Sequence, residues 1–222
     1  MFCFVLFEKI VIEDRLIFVH ERANGAYQVG PYALAHSVVQ LPFVAAIALS
    51  FTLISYFMIE LNQAADRFFF FLLMLFLSLY TAESLVVTIS AIIPFYIIGI
   101  AMGATAYGMF MLLGGFFLKK TNIPDGWYWA HFLSFQKYSF EALMVNDFMG
   151  QNFPCEELSA GTFACFYPDL NGDGVLSGRE IMTEFDYETV DKWDWIAVVA
   201  GFAIGFRILF YLLLRFCNSG KR

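Results

Sequence analysis

Residues 68–89 read FFFFLLMLFLSLYTAESLVVTI, and this run decides the fold. It holds one charged side chain, Glu83, among 22 residues. A run this long and apolar crosses a ~30 Å hydrocarbon core as an α-helix, which takes about 20 residues. A helix is required because lipid offers no partner to an exposed backbone N–H or C=O. Three further runs share this character: Tyr32 to Ile59, Phe95 to Leu118 and Trp195 to Phe216. Pro42 lies inside the first of them and Pro94 just before the next, placements that membrane helices tolerate. The opening MFCFVLF reads as the tail of a fifth span. The stretch MFCFVLFEKIVIEDR has no basic leader and no small-residue cleavage site, so the chain is expected to be part of something longer.

Composition agrees. The 222 residues are 60% hydrophobic, 19% aromatic and 15% charged. Soluble domains run at about 45–50% apolar and about 25% charged, so a soluble core cannot hide this much apolar surface. The net charge is −7, and 13 of the 20 acids lie between Asp125 and Asp194. The acidity therefore belongs to one polar segment, and no basic footprint for nucleic acid exists.

Four crossings put both chain ends on one side. Lys9, Arg15, Arg22, Arg215, Lys221 and Arg222 lie there, which marks it as cytoplasmic. Lys119 and Lys120 point the other way, but they open the long loop 119–194, and long loops escape the charge rule. Trp127, Trp129, Trp193 and Trp195 flank that loop, where interfacial rings belong. WYWAHFLSFQKYSFEALMVNDFMG is expected to form short amphipathic helices dipping into the interface, and the remainder a small irregular cap. Cys155 and Cys165 both fall in the loop. On an oxidising outer side they are expected to be bridged, the alternative being two free thiols.

Inside the membrane, Glu83 is costly, by about 2.5–3.5 kcal/mol, unless it faces protein or water. It is expected to pair with Arg207 or to be protonated, either as a substrate contact or as a polar clamp between helices. His36 and Gln40 lie one turn apart on one face, placed to hydrogen-bond across helices. Gly103, Gly108, Gly114 and Gly115 let helices approach closely. Met109 and Met111 are flexible and polarizable, as a cavity for varied apolar guests requires.

One motif stands apart. DLNGDGVLSGRE, 169–180, fits the calcium-loop pattern D-x-D/N-x-D/N-G-x-x-x-x-x-E. Asp169, Asn171 and Asp173 take the first ligand positions, Val175 offers a carbonyl, Ser177 holds a bridging water and Glu180 closes the site. The leading segment, with Pro168, is a poor helix, and no second loop is present to pair with it. The alternative is a structural turn. No phosphate-loop motif, no N-x-S/T sequon and no catalytic constellation occurs, and His20, His36 and His131 lack metal spacing.

IEDRLIFVHERANGAYQVGPYALAHSVVQLPF resembles the segment leading into the third membrane helix of the G (White-type) subfamily of ABC transporters. The positions that carry it are Arg15, Ile17–Phe18, Glu21–Arg22, Gly25–Tyr27 and Gln40–Leu41–Pro42. SYFMIEL, GGFFLKKTNIPDGWYWAHFLSFQKYSFEALMVNDFMGQNF and GFAIGFRILFYLLLRF resemble later blocks of the same family in the same order.

The resemblance implies an all-α membrane protein, an ABC-2 type transmembrane helix bundle with a small extracellular cap loop. Residues 1–30 would be the end of a truncated helix and a cytoplasmic coupling segment. Residues 31–118 would be three transmembrane helices, 119–194 an extracellular loop with re-entrant helices, and 195–222 the last helix and a cytoplasmic tail. It also implies a half-transporter that pairs with a second half, as homo- or heterodimer, in the plasma membrane. ATP and Mg would act in a nucleotide-binding domain outside these residues, driving export of lipids, sterols, hormones or other amphipathic molecules. Glu13, Arg15, Glu21 and Arg22 would form the coupling surface against that domain, the alternative being a solvated face whose ion pairs give only ~0–1 kcal/mol. Met111 would line the transport cavity, and Phe116–Phe117 would close its outer end, the alternative being aromatics that face lipid. Gly172–Asp173–Gly174–Val175–Leu176 also fits a turn found in the family's outer loop. The competing function is a calcium-regulated membrane channel or receptor built on 169–180.

Overall fold

The computed structural model describes residues 17–26, 28–59, 61, 64–93, 95–114, 125–159, 162–165, 174–185, 187 and 191–216. Glu13, Arg15, Phe116, Phe117, Asp169, Asn171 and Asp173, together with MFCFVLF, lie outside the described residues.

Residues 17–23 are helical. Three long helices follow: α1 over Val29–Met58, α2 over Ala65–Ile92 and α3 over Tyr96–Leu113. Pro31 falls in the first turn of α1, where no donor is needed, and Pro42 lies inside it. A 3-10 turn, Asp125–Trp127, opens the loop and leads to α4, Tyr128–Leu133, and α5, Phe135–Phe148. Four short strands come next: β1, Asn152–Pro154; β2, Glu156–Ser159; β3, Thr162–Ala164; and β4, Val175–Ser177. Helix α6 spans Gly178–Glu184, and α7, Lys192–Phe216, is the last.

Among the described residues, α1, α2 and α7 are long and apolar enough to cross a membrane. Their 30, 28 and 25 residues correspond to about 45, 42 and 38 Å at the helical rise, against a core of ~30 Å. Leu34, Phe57 and Ile204 are each more than half exposed, as lipid-facing residues are. Helix α3 has its described end at Leu113 with Gly114 in the turn, and residues 115–118 of the expected span lie outside the described residues. Helix α4 and the start of α5 fold back onto this end. His131 Nδ1 lies 2.6 Å from the Leu113 carbonyl, and the Ser134 hydroxyl donates to the Phe110 carbonyl at 2.9 Å. These two contacts fix α4 and the start of α5 to the last turn of α3.

Helix α2 is the centre of the bundle, packed against α1, α3, α5 and α7. At one end Phe18, Val29, Ala33, Val87, Ala91, Phe210 and Leu214 form a core, which brings the start of α1 beside the ends of α2 and α7. At the other end Phe70, Met74, Tyr138, Ala142 and Val199 form a second. Arg67 ties that end together. Its Nη1 donates to the carbonyls of Asn146 and Asp147 at 3.2 and 3.3 Å, while Asn146 Nδ2 donates back to the Arg67 carbonyl and Lys192 Nζ to Asn146 Oδ1.

The cap is more regular than the sequence predicts and adds β-structure to an otherwise helical chain. Strands β1 and β4 pair antiparallel with Phe153 opposite Leu176, and β2 pairs antiparallel with β3. Cys155 and Cys165 are joined by a disulfide. Closing so short a loop contributes about 2–4 kcal/mol. Strands of three or four residues leave too little alternation to be read from sequence. Beneath them Val145, Leu176, Ile181, Met182 and Tyr187 form the cap's own core. Gly178 is required here, since a Cβ would land on the Phe148 carbonyl.

Candidate functional site

A cluster of polar side chains lies within the bundle, centred on Arg207 of α7. Its Nε donates to Ser84 Oγ of α2 at 2.9 Å, and its Nη2 to Gln40 Oε1 of α1 at 2.6 Å. Nη1 is 3.5 Å from His36 Nδ1, and Gln40 Nε2 is 3.4 Å from His36 Nε2. A neutral imidazole accepts at one nitrogen only, so one of these two contacts excludes the other as a hydrogen bond. The guanidinium also lies 4.7 Å from the Tyr80 ring. Glu83 Oε2 lies 4.0 Å from Nη2, and neither carboxylate oxygen has a hydrogen-bond partner among the described residues. Both side chains are nearly buried, 11% and 9% exposed.

The arrangement is a clamp joining α1, α2 and α7 at one guanidinium. Arginine suits it because its charge is permanent and its donors are fixed in a planar fork. Apolar contact alone holds helices weakly in lipid, since the tails are as apolar as leucine. Interhelical hydrogen bonds of about 0.6–2 kcal/mol each therefore decide which helices stay together. A second set supports the clamp. Thr81 Oγ1 lies 3.3 Å from the Val199 carbonyl and Thr88 Oγ1 3.0 Å from the Phe206 carbonyl, each sharing its one proton with the carbonyl four residues back at 2.7 Å. Thr81, Ser84 and Thr88 repeat along one face of α2 and are all buried.

The structure thus brings together Glu83, Arg207, His36 and Gln40, and adds Tyr80, Ser84, Thr81 and Thr88. The sequence signal for the last three was small polar residues at helical spacing within an apolar span. For Tyr80 there was none, because a tyrosine in a span is as often lipid-facing. Met111 lies elsewhere. On α3, Ile98, Met102, Met109 and Leu112 form an exposed apolar stripe, and Met111 is exposed beside it. Among the described elements, α2, α4 and α5 are the ones that pack against this helix most.

Glu21 and Arg22 belong to the helical stretch 17–23. Arg22 Nη1 donates to the Leu214 carbonyl of α7 at 2.7 Å and Nη2 to that of Arg215 at 3.5 Å.

In the cap, Ser177 and Glu180 form a capping box at the start of α6. Glu180 Oε2 accepts from Ser177 N at 2.8 Å, and Ser177 Oγ accepts from Glu180 N at 3.3 Å. Val175 sits in β4, and Gly174 turns the chain with φ +72°. Among the described residues they serve as strand, turn and helix cap. Among the described residues no three metal-ligating side chains come together. The 222 residues hold no phosphate-loop motif.

The family described as ABC-2 type transporter matches residues 1–148. The chain is 33% identical over 221 residues to the ABC transporter G family member STR of Medicago truncatula, covering 95% of this chain and 27% of that protein. It is 32% identical over 224 residues to the STR protein of Petunia hybrida, covering 95% and 27%. It is 31% identical over 213 residues to ABC transporter G family member 5 of Arabidopsis thaliana, covering 96% and 31%. The chain spans about three-tenths of the length of these curated relatives.

Proposed function

Because this chain belongs to the ABC-2 type transporter family, we propose that it is the membrane-spanning half of an ATP-driven exporter of lipids, sterols, hormones or other amphipathic molecules. The energy comes from a nucleotide-binding domain outside these 222 residues, where ATP and Mg are bound and hydrolysed. This chain's own residues supply the path and the moving parts. Two such halves pair, and the substrate passes between them.

The observation that carries the reading is the open apolar face of α3. Ile98, Met102, Met109 and Leu112 line it and are exposed among the described residues. A second half seated along this face would enclose a space lined by adaptable thioethers and aliphatic groups, which accepts amphipathic guests of varied shape. The clamp at Arg207 fits a mechanical role, since it lacks a nucleophile placed beside a base and holds three helices to one point.

The test is uptake into inverted vesicles by the protein carrying its nucleotide-binding domain, with a panel of labelled sterols, phospholipids and hormones. ATP-dependent accumulation of at least one class is expected, with a changed preference in Met109→Ala and Met111→Ala. Accumulation that ignores ATP, or no accumulation across the panel, would sink the reading.

A further inference from the structure

The stretch 17–23 is bound to the bundle at two points on one face. Phe18 is fully buried among Val29 and Ala33 of α1, Val87 and Ala91 of α2, and Phe210 and Leu214 of α7. One turn on, Arg22 donates to the carbonyls of Leu214 and Arg215. These are among the last four carbonyls of α7, which no residue of that helix can serve. The cation also sits at the negative end of the helix dipole.

Both points lead to the same place. Leu214 is two turns along α7 from Arg207, on the same rod. The Phe18 ring lies 4.3 Å from that of Tyr32, and the Tyr32 ring 6.2 Å from that of His36, which faces Arg207. A displacement of the stretch therefore reaches the clamp through the backbone of α7 and through a row of rings in α1.

We propose that Arg22 is a positioning residue that locks the stretch to the C-terminus of α7, so that a push on the stretch is delivered to the Arg207 clamp. The source of the push rests on the export reading above. The resemblance implies that Arg22 belongs to the coupling surface, and its guanidinium also reaches two carbonyls of α7.

Two measurements test the proposal, both on the protein carrying its nucleotide-binding domain in lipid nanodiscs or vesicles. The first is hydrogen exchange at the amides of Leu213 to Phe216. Arg22→Gln should speed it about tenfold, and Arg22→Lys, which keeps the charge at the helix end, about twofold. The second is substrate moved per ATP hydrolysed. Arg22→Gln should lower this ratio about fivefold while hydrolysis continues, with partial recovery in Arg22→Lys. Should Arg22→Gln fail to assemble, the Arg22→Lys ratio decides alone. Unchanged exchange overturns the lock. Faster exchange with a wild-type ratio, or loss of hydrolysis together with transport, overturns the coupling role. If the wild type itself moves nothing with ATP, the export reading fails and the coupling role with it, while exchange still decides the lock.

Discussion

The Thr88 hydroxyl of α2 shares its proton between the Ser84 carbonyl at 2.7 Å and the Phe206 carbonyl of α7 at 3.0 Å, and the next residue of α7, Arg207, donates back to Ser84 Oγ of α2. The two helices are stitched in both directions within one turn. Thr88→Val keeps the shape of the side chain and removes the donor. It is expected to lower the unfolding free energy by about 0.6–2 kcal/mol, read from denaturant titration in mixed micelles. An unchanged midpoint would show that packing alone holds this crossing.

Arg207 and Glu83 are the buried charges of the clamp, 4.0 Å apart. Removing one partner leaves the other uncompensated, so Arg207→Leu is expected to cost about 3–5 kcal/mol. The double variant with Glu83→Leu should recover most of that, because two apolar groups leave no orphaned charge. A double-mutant cycle by thermal unfolding checks this. Additive losses would mean that Gln40 and Ser84, not Glu83, are what Arg207 depends on.

The capping box predicts a metal-independent loss. Measured in EDTA, Ser177→Ala should destabilise the cap by about 0.5–2 kcal/mol, seen as faster proteolysis between α5 and α7. Repeating the measurement with calcium separates the two accounts of 169–180. The capping box requires no response to calcium, whereas protection by calcium that Asp169→Asn and Glu180→Gln both abolish would assign the loop to an ion.

Tyr187 gives the cap a pH limit. Its phenol, ordinarily at 10.0, is pushed up to about 12, chiefly by burial and then by the nearby Glu141. The unfolded chain loses this proton first as pH rises. The contribution is therefore whole below pH 10.0 and declines until about 12, where the folded phenol also ionises. Cap unfolding followed by proteolysis should show a steepening loss across that window, and Tyr187→Phe should flatten it.

The long helices were legible in the sequence because nothing but lipid suits residues 68–89. Glu83, Arg207, His36 and Gln40 could also be picked out, since a polar group in a span must face another. Their joint attachment to one guanidinium could not, because rotation of each helix about its axis is set by packing and not by composition. The return of His131 and Ser134 to the last turn of α3 was not legible either, because their partners there are backbone carbonyls of Leu113 and Phe110. The direction of Arg22 was hidden as well, since its partners are backbone carbonyls nearly the whole chain away.

The attachment of His131 and Ser134 to the last turn of α3 has one more consequence. Trp127 and Trp129 sit immediately before these anchors and are largely uncovered. A helix that leans cannot leave them behind. They would therefore serve as a built-in depth gauge: with Trp193 and Trp195 replaced by Phe, quenching of indole fluorescence by lipids brominated at graded positions would report how far α3 tilts during a cycle without attaching any label.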